Sequence, residues 1–128
     1  LFKETLLSIT KKGKDGADAI KQMMIDYRNK PLTELNGLKI VKIKDYLLSI
    51  EQNMEDGNKS PILLPKSDVL QFFLNDGSKI TVRPSGTEPK IKFYFGIKAE
   101  INNINEFEKV NALLDTKIKG IIDSLKLS

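Results

Sequence analysis

Ile91, Phe93, Phe95 and Ile97 alternate with Lys92, Tyr94, Gly96 and Lys98. A period of two sustained this cleanly is a β-strand with one apolar and one polar face. It demands a sheet covered on one side only, and the rest of the chain supplies the parts. Residues 69–74 and 79–83 read as a hairpin around Asn75-Asp76-Gly77-Ser78. Residues 2–10 carry Leu6, Leu7 and Ile9 without a helix-length pattern and read as a first strand. Residues 38–46 read as another, with an apolar phase that shifts between Ile40 and Val41. Either a bulge at that point or burial of both faces accounts for the shift.

Two stretches have the helical period instead. Ile20, Met23, Met24 and Tyr27 fall at i, i+3, i+4 and i+7, one apolar face. Asp15 is placed to cap that helix, Arg28 and Lys30 suit its C-terminal end, and Pro31 stops it. The methionine pair reads as core filling rather than as an adaptable binding surface. Asn105 with Glu108 resembles a capping box, and Phe107, Val110, Leu114, Ile118, Ile121 and Leu125 continue at spacings of three and four. Gly120 weakens that helix by about 1 kcal/mol. Residues 47–65, with Asp56-Gly57-Asn58 and two prolines, read as a mobile loop. The pattern implies an α+β fold, a mainly antiparallel sheet with two helices on one face, forming a single domain over residues 1–128.

Composition narrows the chemistry. At 128 residues, with 40% hydrophobic and 30% charged residues, the chain can bury a real core. No apolar run approaches the roughly 18 residues of a membrane span. The chain lacks cysteine and histidine, which removes thiolate catalysis, the commonest metal ligands and the usual base near neutral pH. Asp15 with Asp18, and Glu55 with Asp56, lie in turn-like, Gly-containing stretches where acids serve as caps and turns rather than as metal ligands. No residue of this chain is expected to be catalytic or to bind metal. The net charge of +4 raises nucleic acid as a partner. Lys39, Lys42 and Lys44, however, alternate as on a solvated strand face, and Phe93 and Phe95 point to the core rather than forming a stacking platform. The chain therefore reads as a binding element that contributes part of an active site.

The element of binding is Arg83-Pro84-Ser85-Gly86-Thr87-Glu88-Pro89-Lys90. A guanidinium, an ammonium, two hydroxyls and a glycine that admits close backbone approach match a tetrahedral dianion. The prolines on either side limit the entropy lost on binding. The same composition also describes an ordinary turn. Glu88 would repel a phosphate unless it points away or pairs with Lys90 or Lys92.

Residues 83–95, RPSGTEPKIKFYF, resemble the phosphate-binding signature of the α-D-phosphohexomutases, most closely the phosphoglucomutase/phosphomannomutase branch. Lys3-Glu4-Thr5-Leu6, Thr10-Lys11-Lys12-Gly13 with Gly16, and Val41-Lys42-Ile43-Lys44-Asp45-Tyr46 resemble the C-terminal part of the same enzymes. The resemblance implies the last domain of a larger cytoplasmic mutase, with a TATA-binding-protein-like fold of a four-stranded, mainly antiparallel sheet and two helices on one face, and the opening residue Leu1 leads us to expect a start further upstream. It implies that Arg83, Ser85, Gly86 and Thr87, with Lys90 and Lys92 in addition, hold the non-reacting phosphate of a hexose phosphate. The domain then closes the cleft while the 1-phosphate and 6-phosphate interconvert. The phosphoserine and the Mg²⁺ site belong to upstream domains, so the implied partners are the sugar phosphate and those domains, with neither nucleic acid nor membrane. Ser85-Gly86-Thr87 favours a glucomutase type over relatives with Ser-Asn-Thr. The other readings are a same-fold mutase acting on a phosphopentose or amino-sugar phosphate, and a basic module for nucleic acid or protein.

Overall fold

The computed structural model describes residues 2–11, 13, 15–85, 88–98 and 107–125. In chain order the elements are β1 (Phe2–Thr10), α1 (Gly16–Asn29), β2 (Glu34–Leu35), β3 (Leu38–Asp45), β4 (Ile50–Asn53), β5 (Lys59–Pro61), β6 (Leu70–Leu74), β7 (Lys79–Pro84), β8 (Lys90–Lys98) and α2 (Phe107–Leu125). The strands form one sheet in the order β1-β8-β7-β6-β3-β4-β5, with β2 pairing β3, and every pairing is antiparallel. The expected α+β class holds, but the sheet has eight strands rather than four.

Alternation sorts the side chains into two faces. Ile91, Phe93, Phe95 and Ile97 are fully buried, and across β7 and β6 they continue into Ile80, Val82, Leu70, Phe72 and Leu74. Both helices cover this face: Ile20 and Met24 of α1, and Leu114, Ile118 and Ile121 of α2, join the same core cluster. Truncating a core phenylalanine of this kind costs about 3–5 kcal/mol. Met23 and Tyr27 pack against the cluster from its margin, the filling role read from their spacing. Among the described residues no helix lies on the opposite face, which by strand parity bears Lys92, Tyr94, Thr81, Arg83 and Gln71.

The phase shift in β3 is a bulge, since its register to β6 slips between Ile40 and Lys42. Residues 47–65 are not one loop. They hold β4 and β5, an antiparallel hairpin that extends the sheet edge through Ile50↔Pro61 to Gln52↔Lys59. Its residues are half-buried or exposed, so backbone pairing rather than core burial holds it. Asp15 sits at the N-terminus of α1 but makes no side-chain capping bond. Asn105 lies outside the described residues, as do the side chains of Phe107, Val110 and Leu125.

A partly buried ion network anchors the far end of α1. Arg28 Nε donates to Asp45 Oδ2 at 2.9 Å, and Nη2 donates to Asp68 Oδ1 at 2.8 Å. Burial opposes the Arg28 charge, but the hydrogen bonds and charges of both aspartates outweigh it and raise its pKa. Asp45 Oδ1 accepts from the Leu47 and Leu48 N–H groups as well, so the carboxylate is well satisfied. Gly120 has a packing reason for its place in α2. A Cβ there would come within 2.6 Å of the Asn36 side chain, which the turn between β2 and β3 presses against the helix.

Candidate functional site

In β7, Ile80 and Val82 point into the core, so Arg83 falls on the helix-free face at the end of the strand. In β8 the same parity puts Lys90 and Lys92 on that face. The register then sets Arg83 directly across from Lys92. Two like charges opposite one another oppose sheet pairing by roughly 0.2–1 kcal/mol. Among the described residues, neither has a hydrogen-bonding or ion-pair partner. An unneutralised cation pair beside a loop is an arrangement that an anion would relieve.

The loop between the strands is closed by its own backbone. Ser85 N–H donates to Lys90 O at 2.8 Å, and Lys90 N–H donates to Glu88 O at 2.7 Å. The Ser85 hydroxyl oxygen accepts from Glu88 N–H at 3.3 Å, which leaves the hydroxyl hydrogen free to point at a ligand. Ser85 therefore qualifies through its hydroxyl, not through its backbone N–H, which is already committed to Lys90. Glu88 forms an ion pair with Lys90 at 3.7 Å, one of the two ways its charge could be kept from a bound phosphate. Glu88 is well exposed, so the pair is weak and easily exchanged for a stronger acceptor. Gly86 and Thr87 lie outside the described residues.

Behind the loop, between it and α1, lies a cavity of about 500 Å³ lined by Ala17, Ile20, Lys21, Pro84, Ser85, Glu88 and others. Lys21 on its wall was not singled out by sequence, because its helical position carries no sign that α1 runs past the loop. The alternative basic surface is less open to anions. Lys42 and Lys44 reach Glu51 at 3.9 and 3.4 Å and lie over the Phe73 ring at 5.7 and 5.3 Å. Among the described residues no three carboxylates cluster as metal ligands. Asp56 instead accepts from the Asn58 backbone and side chain, a turn role. Cations beside one paired carboxylate suit an anion and do not suit Mg²⁺. No described helix is long and apolar enough to cross a membrane.

Residues 10–109 match the family model for the phosphoglucomutase/phosphomannomutase C-terminal domain. The chain is 38% identical over 105 residues to a phosphoglucomutase of Staphylococcus saprophyticus, covering 82% of this chain and 18% of the relative. It is 39% identical over 111 residues to a phosphoglucomutase of Staphylococcus aureus, covering 87% and 20%. The chain thus spans about a fifth of the length of these relatives. The open form of the phosphoprotein pp63/parafusin from Paramecium aligns with a TM-score of 0.48 at 20% identity, over 99% of this chain and 20% of that one.

Proposed function

Because this chain belongs to the phosphoglucomutase/phosphomannomutase C-terminal domain family, we propose that it is the last domain of a longer, cytoplasmic phosphohexomutase and holds the substrate phosphate that is not reacting. The observation that carries this reading is the Arg83–Lys92 couple, unpaired among the described residues, beside the Ser85 hydroxyl. Arg83 would take two phosphate oxygens in a fork, Lys92 would add charge, and Lys90 would join once Glu88 swings away. Gly86 and Thr87 complete the contacts that the family signature implies. Holding a remote phosphate supplies binding energy that orients the reacting hydroxyl and keeps water out. In this scheme the longer enzyme moves a phosphoryl group between the 1- and 6-positions of a hexose phosphate. Its Mg²⁺ and phosphoserine lie upstream of this chain, and no step at the 83–90 loop uses either. The two helices over one sheet face serve as the family's TATA-binding-protein-like core, with the β4–β5 hairpin added at its edge.

Calorimetric titration of the chain with glucose 6-phosphate tests the proposal. A handful of charge-assisted hydrogen bonds at roughly 1.5–3 kcal/mol each, less the cost of fixing loop and ligand, leaves millimolar affinity, about −4 kcal/mol. Arg83→Ala should weaken binding at least tenfold with thermal stability unchanged or slightly raised, because Arg83 lies at a strand end and its charge opposes Lys92 across the pair. Equal binding by parent and variant would sink the assignment.

A further inference from the structure

The loop is held asymmetrically. Its C-terminal leg is gripped: Lys11 N–H donates to Pro89 O at 2.8 Å, and β1 pairs with β8 out to Thr10↔Lys90. Its N-terminal leg, Pro84 and Ser85, is tied to that leg through Pro84↔Ile91 and the Ser85 N–H bond to Lys90 O, and residues of both legs line the cavity beside α1. The residue that lets the grip form is Gly16, the buried first residue of α1. A Cβ on Gly16 would overlap the Lys11 carbonyl oxygen and sit 3.1 Å from the Pro89 Cβ. Its own N–H donates back to Gly13 O at 3.2 Å, so the chain reverses tightly enough to bring the helix start against the loop.

We propose that Gly16 is a positioning residue for the 83–90 loop: by carrying no side chain it lets α1 begin against Lys11 and Pro89 and so fixes the leg that carries Lys90. Any side chain there must displace backbone, since the nearest atoms are a carbonyl and a proline ring rather than a flexible tip. Displacing Lys11 breaks the bond to Pro89 O and releases the leg. Ser85 N–H bonds to Lys90 O, so the release carries across to the other leg and to the Ser85 hydroxyl. This rests on the phosphate reading above, but the grip itself can be measured without phosphate.

The test compares the parent chain, Gly16→Ala and Ile118→Val, the last a core truncation on α2 that lowers stability away from the loop. Amide exchange is followed at Lys11 and Ser85, and inorganic phosphate is titrated into each protein. Gly16→Ala should speed exchange at both amides at least tenfold relative to Ile118→Val and weaken phosphate binding at least fivefold. Parent-like exchange at Lys11 and Ser85 in Gly16→Ala, or parent-like affinity, would overturn the proposal. If Gly16→Ala does not fold, Lys11→Pro removes the N–H that donates to Pro89 O and should speed exchange at Ser85 and weaken phosphate binding by the same factors; parent-like behaviour there overturns the proposal equally. A parent chain that shows no phosphate response contradicts the anion reading instead, and the exchange comparison then decides the grip alone.

Discussion

Glu88 and Arg83 pull the loop in opposite electrostatic directions, and the balance between them is set by one weak ion pair. Glu88 holds Lys90 at 3.7 Å while itself well exposed, so in the free domain it occupies a cation that a phosphate needs. Glu88→Gln should therefore raise phosphate affinity by about two- to fivefold at low ionic strength, an effect that salt screens away. Titrations at 20 and 500 mM sodium chloride would show it; an affinity unchanged or lowered at low salt would mean that Glu88 helps to shape the site. At this scale Arg83 and Lys90 stand out in the sequence by the composition of their loop, and Lys92 by strand alternation. The committed Ser85 N–H and the contact of Gly16 with Pro89 cannot be read there, since both depend on which backbone atoms meet across the fold.

Among elements, the legible ones are those with buried side chains at regular spacing. β8, the β6–β7 hairpin and α1 each bury every second or every third to fourth residue, and the bulge in β3 betrays itself as a slip in that spacing. β4 and β5 bury nothing fully, so they leave no period and their turn-rich composition dominates. The same lack of burial makes a dynamic prediction. An edge hairpin held mainly by backbone bonds opens at lower free energy than a central strand. Amides of β4 and β5 should exchange at least a hundredfold faster than those of Phe93 and Phe95. Equal protection would show that the hairpin is integral to the cooperative core. Phe93→Ala, by contrast, should destabilise the whole domain by about 3–5 kcal/mol in urea unfolding.

For the whole molecule, one sheet face lies under two helices, and the other bears Arg83, Lys90 and Lys92 with no helix over it among the described residues; under the proposed function that second face meets the sugar phosphate. With no cysteine or histidine and no described carboxylate cluster, the chain alone should give no glucose 1-phosphate turnover in a coupled assay; turnover above blank would require a nucleophile that the account does not contain. Under the proposed function the 83–90 loop is an anion site in its own right. The most direct test is an inorganic phosphate titration followed by amide resonances. Resonances of the 83–90 loop, Ser85 among them, and of Lys92 across the strand should move first, saturating in the millimolar range, and Arg83→Ala should abolish the movement. Shifts confined to residues 39–44, with the loop silent, would contradict that assignment and point to the basic β3 face instead.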